Sequence, residues 1–123
     1  MPHCILEYSA NIADEPDFRQ LLLEVHDYLE STGLFKKADI KSRVVGHDKF
    51  VIGDGAPDRA FVTLNLCVLA GRDDSVKAGL SGSIVKILER YFPKTLAERR
   101  CSLTVRITDM HKGSYGKSVS YED

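Results

Sequence analysis

Twice along the chain a segment that reads as a strand is followed by an amphipathic helix and then by another strand, and this repeated order leaves few folds open. In HCILEYS, residues Cys4, Leu6 and Tyr8 alternate with His3, Ile5 and Glu7, the period of a half-buried strand. The next run, DEPDFRQLLLEVHDYLESTG, sets Phe18, Leu21, Leu22, Val25 and Leu29 on one helical face. Asp14 is the expected N-cap, Pro16 falls in the first turn, and Gly33 ends the helix in a left-handed C-cap with Leu34 as the apolar contact behind it. IKSRVV then reads as a strand with Ile40, Ser42 and Val44 facing one way and Lys41 and Arg43 the other.

The second half uses the same order. AFVTLNLCVLAG is nearly continuous apolar sequence, as expected of a central strand. RDDSVKAGLSGSIVKILERYF places Val76, Leu80, Ile84, Ile87, Leu88 and Tyr91 on one face, with Asp73, Asp74 and Ser75 available for capping. Pro93 should stop or kink this helix near Phe92, KTLAERR allows a further helical turn, and CSLTVRIT alternates as the last strand. Between the halves, GHDKFVIGDGAPDR is a connector with a turn at GDGAPD and room for a short strand at KFVI. HKGSYGKSVSYED reads as a polar tail.

The implied class is α+β: tandem βαβ units, about residues 2–46 and 59–109, forming one four-stranded mixed sheet within a single domain over 1–123. Right-handed crossovers put both helices on the same face. The opposite face is left bare, with apolar residues expected on it, so a homo-oligomer is expected to cover it. Lys and Arg number 17 against 18 Asp and Glu, and no basic run tracks a phosphate backbone, which argues against a nucleic-acid partner. No apolar run approaches the roughly 20 residues that cross a bilayer, and the start lacks a secretory pattern, so a cytoplasmic protein without a membrane partner is expected. Cys4, Cys67 and Cys101 and the four histidines are scattered, so reduced thiols and no metal site are expected.

Three places carry possible chemistry. Pro2 stands directly behind Met1. It is either a permissive residue ahead of the first strand or, once Met1 is removed, a secondary amine able to serve as a base; while Met1 is attached its nitrogen is an amide. Lys41 and Arg43 share one strand face, either as a solvated surface or as a grip on anions. Arg72 stands where a strand ends and a helix begins, so it either pairs with Asp73 or Asp74 or joins the helix N-terminus in binding an anion.

The proline opening MPH, the TGLF helix exit before IKSRV, and the strand ending in AGRD together resemble the tautomerase superfamily, and within it the 5-carboxymethyl-2-hydroxymuconate isomerases. The resemblance spans about residues 2–108 and is loose from His111 onward. It implies a tautomerase/MIF-like homotrimer with sites at subunit interfaces, Pro2 as catalytic amine, and Lys41, Arg43 and Arg72 binding a small-molecule carboxylate substrate. It also implies a cofactor-free proton shift along a conjugated dienol acid, in the breakdown of homoprotocatechuate. Lys41 departs from the arginine usual at its position in that family. A related keto-enol tautomerase of another acid and a non-catalytic ligand-binding domain are the alternatives.

Overall fold

The structure, a computed structural model, describes residues 1–122. Its elements run β1 (His3–Ser9), α1 (Phe18–Ser31), β2 (Lys41–His47), β3 (Arg59–Leu69), α2 (Asp74–Glu89), α3 (Pro93–Glu98) and β4 (Arg100–Met110). The sheet order is β2-β1-β3-β4, with β1 and β2 parallel, β3 and β4 parallel, and β1 antiparallel to β3. This is the expected mixed sheet of two βαβ units.

One face of the sheet supplies Cys4, Leu6, Val62, Leu64, Leu66 and Val68, all fully buried against Leu21, Val25 and Leu29 of α1 and Leu80, Ile84 and Leu88 of α2. Both helices therefore cover the same face, and burial of their apolar stripes is the main stabilising term. Burial also pushes the Cys4 thiol up to about 11, making it a core residue with little thiolate character. The register His3↔Lys41 and Ile5↔Arg43 puts Lys41 and Arg43 on the open face beside His3 and Ile5. Ile40 is buried, while Ser42 turns toward α1 and meets His26 at 2.6 Å.

The open face carries the expected apolar residues together with polar ones. Along β3 it presents Phe61, Cys67 and Leu69 but also Thr63 and Asn65, whose side chains accept from Thr104 and Thr108 of β4 at 2.9 and 2.7 Å. Only alternate residues of the long apolar run belong to the core. No strand forms at KFVI; residues 48–58 make a loop that turns at Gly53 and Gly55, both with positive φ.

Helix boundaries also differ from expectation. Pro16 precedes α1, and Asp17 is the N-cap, accepting from the Gln20 amide at 3.0 Å. The proline disfavours helical backbone at the residue before it, so the helix starts beyond the reach of Asp14. Asp14 instead caps α3, accepting from the Lys94 amide at 3.2 Å and from both the amide and the hydroxyl of Thr95 at 2.6 Å. Thr95 is fully buried, and its hydroxyl oxygen accepts from the amides of Ala13 and Asp14 at 3.0 and 3.2 Å. Gly33 does take the left-handed conformation behind α1 (φ 77°), but Leu34 is exposed and Phe35 is the residue that packs inward.

Burial acts to raise the Asp14 carboxyl, but hydrogen bonds from Thr95 and Lys94 outweigh it and hold the group below its ordinary range. Since the folded value is the lower one, this contribution is complete above the unfolded carboxylate range and fades as pH falls through the folded value. Thr95→Val leaves two amides without their acceptor and should lower stability by about 2 kcal/mol, read as a lower urea midpoint. Thr95→Ser should retain most of it.

Candidate active site

The topology brings one set of chain ends together. Because β1 and β2 run parallel and β3 and β4 run opposite to them, the starts of β1 and β2 lie beside the ends of β3 and β4. The exit of α1 and the entrance of α2 join them there, since the Arg72 guanidinium reaches from the β3–α2 turn to the Leu34 carbonyl. Residues far apart in sequence therefore meet at the N-terminal end of the chain.

Pro2 is buried, and its carbonyl accepts from the Lys41 amide at 3.1 Å. That bond extends the β1–β2 ladder by one step and fixes the backbone beside the Pro2 nitrogen. Arg72 bonds the carbonyls of Leu69 at 3.2 Å and Leu34 at 3.5 Å, with its guanidinium carbon 4.7 Å from the centre of the Phe35 ring. It therefore makes neither of the ion pairs with Asp73 or Asp74 that its sequence position allows. Lys41 donates to the Asp39 carbonyl at 2.8 Å. Arg43 lies 3.3 Å from His3 Nδ1. None of these three cations forms an ion pair among the described residues.

The electrostatics at the chain terminus follow from this arrangement. Burial holds the Met1 α-ammonium below its ordinary range; Asp39 opposes that shift, and Lys117, Arg72 and Lys41 add to it. His3 is lowered by burial and then by Arg43, Lys41 and the terminal amine. Like charges close together favour the neutral form of any base among them. Lys41 and Arg72 thus act on one point, while Arg43 is set one step along the open face and acts chiefly on His3.

Two contributors were not legible from the sequence. Asp39 and Lys117 form a 3.2 Å ion pair at this end, with side chains 20% and 30% exposed. Neither lies in a motif, and only the fold joins them. One hollow of about 600 Å³, lined by Asp14, Glu15, Arg90 and Lys94, lies near the N-terminal end of α1, and another of about 630 Å³, lined by Glu30, Phe35 and Lys37, lies at the exit of α1. Among the described residues, no group of three His, Cys, Asp or Glu side chains is placed to hold a metal ion, and no helix is long and apolar enough to cross a membrane.

Comparison with known proteins bears on this geometry. A family model described as 5-carboxymethyl-2-hydroxymuconate isomerase matches residues 2–121. A 5-carboxymethyl-2-hydroxymuconate Delta-isomerase from Escherichia coli is 32% identical over 111 residues, covering 90% of this chain and 88% of that protein. The crystal structure of a 5-carboxymethyl-2-hydroxymuconate isomerase from Deinococcus radiodurans R1 superposes with a TM-score of 0.86 at 28% identity, covering 95% of this chain and 88% of that one. A fused 4-OT wild type symmetric trimer superposes with a TM-score of 0.73 at 17% identity, covering 94% and 91% of the two chains, and shares the fold. With its double βαβ sheet and a family match from Pro2 through the C-terminal segment, the chain belongs to the 5-carboxymethyl-2-hydroxymuconate isomerase family, a family of enzymes.

Proposed function

We propose that the protein, once Met1 is removed, is a cofactor-independent isomerase that moves a proton along 5-carboxymethyl-2-hydroxymuconate, with Pro2 as the amine. The observation that carries this is that Lys41, Arg72 and Lys117, opposed by Asp39, act on the Met1 nitrogen, one residue from the nitrogen of Pro2. An α-amine ordinarily titrates at about 7.7–8.0 and a proline amine somewhat higher, so an unperturbed Pro2 would be largely protonated at neutral pH. Burial and neighbouring cations favour the neutral amine, the form a base requires.

The same cations serve the substrate. The dienol acid carries three carboxylates, and negative charge grows on the 2-oxygen as its proton leaves. Pro2 nitrogen takes that proton, the conjugated electrons shift, and the resulting ammonium returns a proton to C5, giving the α,β-unsaturated ketone. Arg72, already oriented by two carbonyls and a ring, presents a rigid fork to a carboxylate or to the developing oxyanion. Lys41 supplies charge without the flat bidentate geometry of arginine. Arg43, on the open sheet face, is suited to a carboxylate lying farther from the amine.

The homotrimer belongs to this reading. Both outer strands, β2 and β4, have an unpaired edge within the subunit, and the open face mixes Ile5, Phe61 and Leu69 with Arg43, Thr104 and Arg106, a surface suited to contact with further copies. A neighbour of the same fold is a symmetric trimer. Light scattering should give three times the subunit mass.

Protein shown by intact mass to begin at Pro2 should consume the dienol rapidly, followed by loss of its absorbance, and Met1-retained protein should not. Pro2→Ala in the processed protein replaces the secondary amine with a primary one and should lower kcat by about 100-fold or more. A processed trimer that leaves 5-carboxymethyl-2-hydroxymuconate unchanged while ketonising another enol acid would overturn the substrate and keep the reaction class.

The pH dependence has a defined sign. The active base is the neutral amine, so kcat should fall as pH drops through the amine's pKa, which burial and nearby cations act to lower. Arg72→Ala removes one cation, so the acid limb of the profile should move to higher pH, and kcat/KM at pH 7 should drop by about 10- to 100-fold, or ~1.4–2.7 kcal/mol. Lys41→Arg should lower KM by a few fold.

A further inference from the structure

Beyond β4 the chain has little regular structure, only a 3-10 turn at Lys112–Ser114, yet it returns to the N-terminal end of the sheet. Two contacts hold it there. The Tyr115 hydroxyl lies 3.2 Å from His3 Nε2, with the two rings edge to face at 6.5 Å. Two residues on, Lys117 Nζ lies 3.2 Å from Asp39 Oδ1 and 2.8 Å from Met1 Sδ.

The sulfur contact has a consequence for the processed protein. A thioether is a weak acceptor, so of the two partners of Lys117 the Asp39 carboxylate is the stronger and the sulfur is readily replaced by a better acceptor. Removal of Met1 frees the space that its side chain fills, and Lys117 Nζ borders that space. The charges that face it come from every neighbouring segment: Asp39 ahead of β2, Lys41 on β2, Arg72 in the β3–α2 turn and Lys117 on the tail, with Arg43 reaching His3 one step away. Three cations against one carboxylate act on the terminal nitrogen, with Arg43 one step away, an excess of positive charge suited to a substrate with several carboxylates. Without Lys117 that excess falls by one charge.

Building on the isomerase reading, we propose that Lys117 is a specificity-determining residue that binds a substrate carboxylate and sets the preference for a tricarboxylate over a dicarboxylate. Asp39 is its partner in the empty site. The Tyr115–His3 contact is the clasp that positions the segment. Lys117 is the member of the cluster that lies outside both βαβ units, so the tail, which has no core of its own, acquires a role in choosing the substrate.

The test uses full-length protein beginning at Pro2, with Lys117→Ala, Lys117→Met and Lys117→Arg, assayed on 5-carboxymethyl-2-hydroxymuconate and on 2-hydroxymuconate, which lacks the carboxymethyl arm. The Ala and Met variants should raise KM for the tricarboxylate about tenfold, ~1.4 kcal/mol, while KM for the dicarboxylate changes by about twofold or less; Arg should restore most of the difference. Equal changes for both substrates, as a merely structural role would give, overturn the assignment and leave the isomerase reading intact. If the unaltered enzyme turns over neither substrate, the isomerase reading fails. Calorimetry with tricarballylate then decides on Lys117 alone: about tenfold weaker binding in Lys117→Ala supports it, and unchanged binding overturns it.

Discussion

The pairing of β1 with two neighbours in opposite senses, parallel to β2 and antiparallel to β3, is the constraint on which the rest of the molecule depends. A parallel pair needs a crossover, and here α1 supplies it; an antiparallel pair between the two units turns the second end for end relative to the first. The start of β1 and the end of β3 then have to be neighbours. The Lys41 amide to Pro2 carbonyl bond places the start of β2 at the same end, and the β3–β4 register, through Leu69↔Met110, does so for the origin of the tail. Core packing and site geometry thus share one cause, because the register that buries Leu6, Leu64 and Leu66 also sets Lys41 beside His3.

Pseudo-symmetry supplies an internal control. At the far end of the sheet the Arg100 amide donates to the Asp58 carbonyl at 2.9 Å, the counterpart of Lys41 to Pro2. Arginines gather there as well, and two of them are neutralised: Arg59 bonds Asp54 at 2.7 Å, and Arg100 makes a two-pronged bond to Asp58 at 2.8 and 2.7 Å. The Asp54 carboxyl, bonded by Arg59 and the Ala56 amide, is lowered to about 2. The two ends differ in how their cations are held: at the far end Arg59 and Arg100 face carboxylates while Arg99 faces the Asn11 carbonyl, whereas at the end where the chain begins Lys41, Arg43 and Arg72 all lack an ion pair among the described residues. Local charge balance distinguishes a candidate active site from a structural cluster.

Much of this was legible because alternation and helical spacing are direct consequences of one-sided burial. Leu21, Val25 and Leu29, or Leu80, Ile84 and Leu88, have to face something apolar, and right-handed crossovers leave one way to arrange them. Helix starts were less legible: Asp14 and Asp17 are equally good caps in sequence, and the choice rests on Pro16 and on Thr95, 81 residues away. The polar share of the open face was less legible because β3 is nearly continuous apolar sequence, whereas Thr63 and Asn65 satisfy their polarity across the strand with Thr104 and Thr108. Pro2, Lys41, Arg43 and Arg72 stood out through their places on elements. Asp39 and Lys117 did not, since an ion pair spanning 78 residues leaves no local signal.

That ion pair shapes the field at the amine. Asp39 alone raises the pKa of the terminal amine, and Lys117 lowers it. Held together they act on a distant charge as a dipole, whose influence falls away faster than that of either charge singly. Arg72 and Lys41 add to the field at the amine without forming ion pairs, one oriented by carbonyls and an aromatic ring, the other by the Asp39 carbonyl. The Lys117 hydrogen bond is the leading cause that holds the Asp39 carboxyl below its ordinary range. Asp39 therefore stays ionised at neutral pH, and the balance of charge at this end is set by which cations the fold and the tail deliver.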